Sequence, residues 1–117
     1  MIIGTGIDLI KIDRIKSITK MEYFFTKSEI SFFNKTSNYD TLAGAFAAKE
    51  ALLKALAVGI ESYKFTEMEI LHKSNGAPYF NFYGNLFKKI KKERFKCFLS
   101  IAHDGDYAIA SVIIFKK

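Results

Sequence analysis

The sequence contains few of the residues that mark disulfides, zinc sites and membrane spans. Its 117 residues include one cysteine, one proline and no tryptophan. Because Cys97 stands alone, there is neither a disulfide framework nor a pair of metal-binding cysteines, and we expect a buried, structural thiol. No apolar run reaches the roughly 18 residues of a membrane span, and residues 1–10 lack the features of a signal peptide. These absences predict a cytoplasmic protein that does not cross a membrane.

Acidic residues are scarce relative to basic ones. The chain has 18 lysines and arginines against 12 aspartates and glutamates, a net charge of +6 at pH 7. A charge of this sign favours an anionic partner, which could be nucleic acid, an acidic protein or a phosphorylated small molecule. Much of the excess lies in "FKKIKKERFK" (87–96). The lysines of this segment form either an ordinary solvated helix face or a binding patch.

The residues that are plentiful are those of a folded core. Half of the chain is apolar, and 12 residues are phenylalanine, so the composition is that of an ordered globular protein. The length is typical of one domain, and neither an internal repeat nor a linker interrupts the sequence. We therefore predict a single domain over residues 1–117.

Helix signals dominate the first half of the chain after a strand at residues 2–12. Asp13 is a candidate N-cap for a short helix, and "TKSE" (26–29) matches a capping box before a second one. The longest predicted helix is "TLAGAFAAKEALLKALAVG" (41–59), with Asp40 as a possible N-cap and Gly59 as its end. Because this helix is apolar on nearly all sides, we expect it to be buried.

The second half alternates between apolar and polar residues, as strands do. Residues 65–73 and "PYFNF" flank the turn "SNG", and "KCFLSIAH" and "YAIASVIIF" flank "DGD", so two hairpins are predicted with a basic helix at 84–94 between them. This order predicts an α+β fold with a mostly antiparallel sheet and a long buried helix.

Asp8 lies in an otherwise apolar strand, "GIDLIKIDRI" (6–15), where aspartate is disfavoured. Gly4, Gly6 and Asp8 share one face of that strand, and the glycines permit a ligand or another backbone to approach closely. The alternative is that Asp8 caps a turn at the end of an edge strand.

Glu50 is a second carboxylate in apolar surroundings. On the long helix it shares a stripe with Lys54 and with small alanines, so it either faces a ligand or forms an ordinary i, i+4 ion pair with Lys54. A pair of carboxylates beside small residues suits Mg²⁺, which binds one or two carboxylates together with substrate phosphates. A phosphate-containing substrate is consistent with the basic chain.

Four segments together resemble the signature blocks of holo-[acyl-carrier-protein] synthase, the small 4'-phosphopantetheinyl transferase family. They are "GIDLIKIDRI", "FAAKEALLKAL", "NGAP" and "LSIAHDGDYAIASVII", and they span almost the whole chain. The resemblance implies that 4'-phosphopantetheine moves from coenzyme A to a serine of apo-acyl carrier protein, with Mg²⁺ as cofactor and adenosine 3',5'-bisphosphate as the product released.

The resemblance also implies roles for three residues at the chemical step. Asp8 and Glu50 match the two magnesium-binding carboxylates of the family, and we favour Glu50 as the acceptor of the serine proton. Lys54 matches a helix lysine that could neutralise the leaving phosphate. A cation bound to the diphosphate of coenzyme A would then offset the cost of Asp8 in its strand.

Three further residues are predicted to hold substrate or partner. Lys49 points away from the Glu50 stripe and could reach the nucleotide phosphates, while His103 matches the family's histidine near the coenzyme A nucleotide. Arg14 matches an arginine that contacts the acidic carrier protein. His103 and Arg14 could instead be ordinary structural and surface residues, and we interpret His72 as structural.

The sequence departs from the family at two places. Ala45 occupies a position that is usually arginine, and Ala57–Gly59 replaces a turn that is commonly Gly-Thr-Gly. Both regions lie near the nucleotide end of coenzyme A in the family. The family's small members are trimers with active sites between subunits, and the C-terminal strand, apolar on both faces, suits such an assembly.

Two alternatives compete with the transferase. A small basic RNA- or ribosome-binding module would use 87–96 to follow phosphates and exposed rings such as Tyr79 or Phe82 to stack on bases. A structural subunit without activity would make both carboxylates dispensable. The resemblance is centred on Asp8 and Glu50 rather than on the basic segment, so nucleic acid is the less favoured partner.

Overall fold

The computed structural model describes all 117 residues, and its larger sheet has three antiparallel strands. β1 spans Ile2–Lys11, β4 spans Phe95–Asp104 and β5 spans Tyr107–Lys116, with β5 between the other two. Asp8 pairs with Ala110 of β5. The carboxylate therefore lies in the middle of an edge strand and does not cap a turn at its end.

The long helix α4, Tyr39–Ala55, lies across one face of this sheet against β1 and β5. Glycines in β1 allow the helix backbone to come very close. A Cβ at Gly6 would lie 1.9 Å from the carbonyl oxygen of Ala51, and one at Gly4 would lie 2.0 Å from that of Ala55. The space that these glycines leave is therefore filled by the α4 backbone and not by a ligand.

The opposite face of the three-stranded sheet is apolar and uncovered. Strand alternation places on this face a set of exposed large side chains, namely Ile3, Ile7, Leu9, Phe98, Ile113 and Phe115. The buried residues of β5 that alternate with them are Ala108, Ala110, Val112 and Ile114. An antiparallel sheet usually presents polar side chains on its solvated face. Here the face is apolar, and no element of the chain covers it.

Short helices connect β1 to α4. α1 spans Ile12–Lys16, α2 spans Met21–Phe24 and α3 spans Lys27–Thr36. The predicted capping box is confirmed at α3, where Thr26 accepts from the Glu29 amide and Glu29 accepts from the Thr26 amide. The four-residue α2 was not predicted, because its sequence "MEYF" is too short to show a helical period.

The remaining elements form a second layer. A 3-10 helix, Phe65–Glu67, leads into the two-stranded sheet of β2 (Met68–His72) and β3 (Pro78–Phe82), and α5 (Gly84–Glu93) follows. Both predicted hairpins and the basic helix are confirmed, as is the α+β class. No helix combines the length and apolar character that crossing a bilayer requires.

Three predicted helix ends are wrong. α4 begins after Asn38, whose side chain accepts from the Asp40 amide at 2.9 Å, so Asp40 is inside the helix. α1 has no side-chain cap, and Asp13 lies in its first turn. α4 ends at Ala55, before Gly59, because Ala57 adopts the left-handed conformation with φ of 59°.

Candidate functional site

Asp8, Glu50 and Lys54 come together where β1 meets α4. The Lys54 amine donates to the Asp8 carboxylate at 3.1 Å and to the backbone oxygen of Ile7 at 2.9 Å. Lys54 thus reaches across to the strand, and the alternative i, i+4 ion pair with Glu50 does not form. The close contact of the two glycines with α4 sets this spacing between helix and strand.

Glu50 is the uncommitted carboxylate of this cluster. Burial, and then the negative charge of Asp8, raise the pKa of Glu50 above its ordinary value of 4.5, while the cations of Lys54 and Arg14 oppose the shift. Its oxygens have no cationic partner within 4.0 Å. Two carboxylates with one bonded lysine leave an excess of negative charge that a further cation would balance.

The cluster contains two carboxylates and no third metal-ligating side chain. No group of three or more histidine, cysteine, aspartate or glutamate residues is arranged to hold a metal by itself. Any cation held by Asp8 and Glu50 must therefore complete its coordination with substrate oxygens and water. That arrangement is common for Mg²⁺ and uncommon for structural zinc.

The structure contradicts the predicted role of Lys49. Its side chain is 0% exposed, and its amine donates to Glu29 at 2.7 Å and to the backbone oxygen of Phe24 at 2.7 Å. An amine enclosed and bonded in this way cannot reach a nucleotide at the surface. Burial lowers the pKa of Lys49, and the carboxylate of Glu29 acts in the opposite direction.

Glu29 and Glu69 form a buried polar network around that lysine. The second oxygen of Glu29 accepts from the Ile70 amide at 2.8 Å, which links α3 to β2. Glu69 accepts from the hydroxyls of Thr26 and Tyr83 and from the side-chain amide of Asn81. No buried side-chain polar atom is left without a partner, so this network stabilises the fold rather than offering a site.

Cys97 and Arg14 lie in environments that differ sharply. Burial raises the pKa of the half-buried Cys97 to about 12, so its thiol is unreactive at neutral pH.

Arg14 is exposed on α1, and its charge still acts on Glu50. Arg14 is therefore at the surface beside the carboxylate cluster, which is the position that a residue contacting a bound partner would require.

His103 lies apart from the carboxylates. Its Nδ1 is 3.3 Å from the carboxylate of Asp40, at the start of α4. Asp40 and Glu50 are separated by about 15 Å along the helix axis. One chain therefore does not bring His103 next to Asp8 and Glu50, and the predicted residues fall into two sites.

His103 lines a cavity of about 270 Å³. The sequence predicts a structural role for His72, yet His72 lines this cavity together with His103, and so does Ala45. The sequence feature that could have indicated this position of His72 is the alternation of β2, which places His72 on the same face as Ile70. A cavity of about 600 Å³ lies elsewhere, between α2 and residues 60–66, and neither Asp8 nor Glu50 lines it.

The chain resembles known proteins along its whole length. Residues 4–112 match the family model described as the 4'-phosphopantetheinyl transferase superfamily. The chain is 41% identical to a holo-[acyl-carrier-protein] synthase of Clostridium tetani, over 97% of this chain and 96% of that protein.

Solved structures agree with that similarity. Holo-[acyl-carrier-protein] synthase from Neisseria meningitidis superposes with a TM-score of 0.90 at 29% identity, covering 99% of this chain and 100% of that one. A holo-(acyl-carrier-protein) synthase from Bacillus anthracis in complex with CoA (3',5'-ADP) gives a TM-score of 0.84 at 29% identity, covering 100% and 99%.

Proposed function

The chain belongs to the 4'-phosphopantetheinyl transferase superfamily, and from that premise we infer that it moves 4'-phosphopantetheine from coenzyme A to a serine of apo-acyl carrier protein. A bond forms between the serine Oγ and the phosphorus that carries pantetheine, and the bond from that phosphorus to the bridging oxygen breaks. Adenosine 3',5'-bisphosphate leaves. The observation that carries this function is the end-to-end similarity to such synthases, one of them bound to coenzyme A.

We assign Asp8 and Glu50 as the residues that hold Mg²⁺. Their carboxylates suit this hard cation, and Glu50 has no ion pair of its own. Bound there, Mg²⁺ would supply positive charge to the diphosphate of coenzyme A. The need for further oxygen ligands fits a substrate that brings its own phosphates.

Glu50 also accepts the serine proton, directly or through a water. Before a metal binds, burial and Asp8 raise the pKa of Glu50 above its ordinary value. A carboxylate within hydrogen-bond reach of the serine, or one water away from it, can accept the serine proton. Lys54 stabilises the leaving bisphosphate. Its amine is half exposed and bonded to Asp8 and the Ile7 carbonyl, so it is held close to the reacting phosphate and remains accessible.

Arg14 holds the carrier protein. Carriers of this family are acidic, and the planar guanidinium binds carboxylates with two parallel hydrogen bonds. Because Arg14 is exposed and close enough to act on the charge of Glu50, a carrier bound to α1 would present its serine to the cluster. We assign the reaction to the cytoplasm and to the carriers of fatty acid biosynthesis, on the family's precedent alone.

Three copies of the chain assemble around the uncovered sheet face. That face combines exposed residues of all three strands, including Ile7, Phe98 and Phe115. Large exposed apolar patches mark protein interfaces. The separation of His103 from Asp8 and Glu50 within one chain is consistent with a site completed by the neighbouring subunit, whose His103 contacts the nucleotide.

Intact-mass measurement of the carrier tests the function. The protein is incubated with coenzyme A, Mg²⁺ and an apo-acyl carrier protein, and the carrier is expected to gain the mass of one phosphopantetheine. A carrier whose acceptor serine is changed to alanine is the control. An unchanged mass with several different apo-carriers would overturn the assignment. The relatives give no support to the RNA-binding alternative.

A further inference from the structure

The cavity that contains His103 is built from four parts of the chain. Its walls come from α3, the first turns of α4, the β2–β3 hairpin and β4. The charged and titratable residues that line it are Asp40, His72 and His103, and neither lysine nor arginine is among the lining residues. Asn38 and Thr41 add neutral polar side chains to the lining, so the two imidazoles are the lining side chains that can offer positive charge to an anion.

The two histidines differ in how far they are already engaged. His103 faces the carboxylate of Asp40 across 3.3 Å. His72 packs its ring against Phe32, with centroids 4.8 Å apart, and neither of its ring nitrogens has a hydrogen bond or ion pair within the chain. The rings are tilted by 33°, and this contact with Phe32 supports the exposed His72 imidazole while leaving its nitrogens available to a ligand.

The free ring nitrogens of His72 matter for ligand binding because Ala45 offers no donor. It lies in the wall of the same cavity and carries neither a charge nor a hydrogen-bond donor on its side chain. A phosphate monoester needs several donors or cations to replace its water. Among the lining side chains with a donor, His72 is the one that can become cationic and has no ion-pair partner in the chain.

We propose that His72 is a specificity-determining residue that donates from its imidazole to the 3'-phosphate of coenzyme A, where Ala45 supplies no donor. The proposal rests on the proposed function, because it places the nucleotide end of coenzyme A at His103. The ligand class is an adenosine nucleotide with a 3'-phosphate monoester. His103 on β4 and His72 on β2 then both contact the 3'-phosphate. A ligand without that phosphate should gain no affinity from His72.

The proposal makes the affinity for coenzyme A depend on pH. Burial lowers the pKa of His72, and the carboxylate of Glu29 on α3 opposes that shift. The other groups facing the imidazole are Asp40 on α4 and His103 on β4. A neutral imidazole donates one hydrogen bond and an imidazolium adds charge, so binding tightens as the pH falls through the lowered pKa of His72, which lies below the ordinary 6.5.

Steady-state kinetics of His72→Ala with coenzyme A and with 3'-dephospho-coenzyme A test this. One charge-assisted hydrogen bond corresponds to about a tenfold change or more, and we expect that increase in KM for coenzyme A, with the loss in KM rather than kcat. The increase for the dephospho substrate should be at most twofold. Lys73→Ala, an exposed cation on the same hairpin, is the matched control for general charge effects.

Two more variants sharpen the result. His72→Gln keeps a neutral donor, so it should retain part of the affinity and show a weaker pH dependence than the wild type. Ala45→Arg should restore the KM of His72→Ala by placing a cation in the same cavity. An equal rise in KM for both substrates, or none, would overturn the role of His72.

Direct binding separates this proposal from the enzyme assignment. Calorimetry compares adenosine 3',5'-bisphosphate with adenosine 5'-monophosphate on the folded protein, without any carrier. We expect the wild type to prefer the bisphosphate about tenfold or more and His72→Ala, which keeps His103, to show a clearly smaller preference. A wild type that transfers phosphopantetheine but shows no preference, or the same preference as His72→Ala, contradicts the proposal and leaves the enzyme assignment intact.

Discussion

Two lysines of α4 each form an ion pair with a carboxylate of another element, and the two pairs differ in how far they are exposed. Lys54 donates to Asp8 at 3.1 Å, and Lys49, five residues earlier, donates to Glu29 at 2.7 Å. The side chains of Lys54 and Asp8 are 54% and 16% exposed, whereas those of Lys49 and Glu29 are 0% and 3% exposed.

The difference shows what makes a charged pair available for chemistry. Every donor and acceptor around Lys49 is satisfied inside the protein, so a ligand would have to break that network. Around Lys54 one carboxylate, Glu50, remains unpaired beside Asp8. We therefore assign the exposed pair to catalysis and the buried pair to stability.

The largest expected effect comes from breaking the exposed cluster. Asp8→Asn or Glu50→Gln removes a metal ligand and, for Glu50, the proton acceptor, so the rate of transfer should fall by a factor of about 10² to 10⁴. The rate is followed by chromatographic separation of apo- and holo-carrier. Glu61→Gln, an exposed glutamate beyond the end of α4, is the control and should keep the wild-type rate. Wild-type rates in both site variants would remove the proposed mechanism.

Breaking the buried pair should cost stability instead. Lys49→Met leaves the Glu29 carboxylate buried without its cation, and such a change costs about 3–5 kcal/mol in the free energy of unfolding. Urea unfolding measures this loss. Lys54→Met is the matched control, because an exposed pair contributes about 1 kcal/mol or less. An equal loss in the free energy of unfolding in Lys49→Met and Lys54→Met would contradict the assignment of the buried pair to stability.

The helix that carries both lysines, α4, is followed by a residue with a strained backbone, Ala57. Ala57 has φ of 59°, and its amide and that of Val58 bond to Lys54 and Leu53 as in a Schellman motif, where glycine is usual. Because the left-handed conformation costs an alanine about 1–2 kcal/mol, Ala57→Gly should raise the free energy of unfolding by about 1 kcal/mol. A loss of stability in the urea experiment would mean that chain entropy dominates at this turn.

The smallest effect is a dependence of stability on pH. Burial and Asp8 raise the pKa of Glu50 above 4.5, so the folded chain binds this proton more tightly than the unfolded chain does. Ionisation of Glu50 therefore lowers stability as the pH rises through that raised pKa. Glu50→Gln should be slightly more stable than the wild type at pH 7 and no more stable below pH 4.5. Thermal unfolding at both pH values measures this, and a destabilised variant at pH 7 would contradict it.

The sequence allowed much of the fold to be predicted because local signals agreed with the final packing. The capping box at Thr26 and the turns at 74–76 and 104–106 determine local geometry that the rest of the chain does not override. Helix ends were less predictable. Asn38, Asp40 and Gly59 are all plausible caps, but α4 begins after Asn38 and stops where Ala57 becomes left-handed, before Gly59.

The candidate site was predictable in part for a similar reason. Periodicity places Glu50 and Lys54 on one stripe, but it gives only the direction in which a side chain leaves the helix. It could not show that Lys49 points to Glu29, because that partner lies 20 residues away in sequence and already serves as a capping residue. Nor could it show that His72 and His103, from different sheets, face one cavity.

Manganese binding followed by electron paramagnetic resonance tests whether Asp8 and Glu50 hold the metal, because Mn²⁺ replaces Mg²⁺ at oxygen sites. We expect the wild type with coenzyme A to bind one Mn²⁺ per chain, Asp8→Asn and Glu50→Gln to lose this binding, and the Glu61→Gln control to keep it. Undiminished binding of Mn²⁺ by both folded site variants would show that these two carboxylates do not hold the metal.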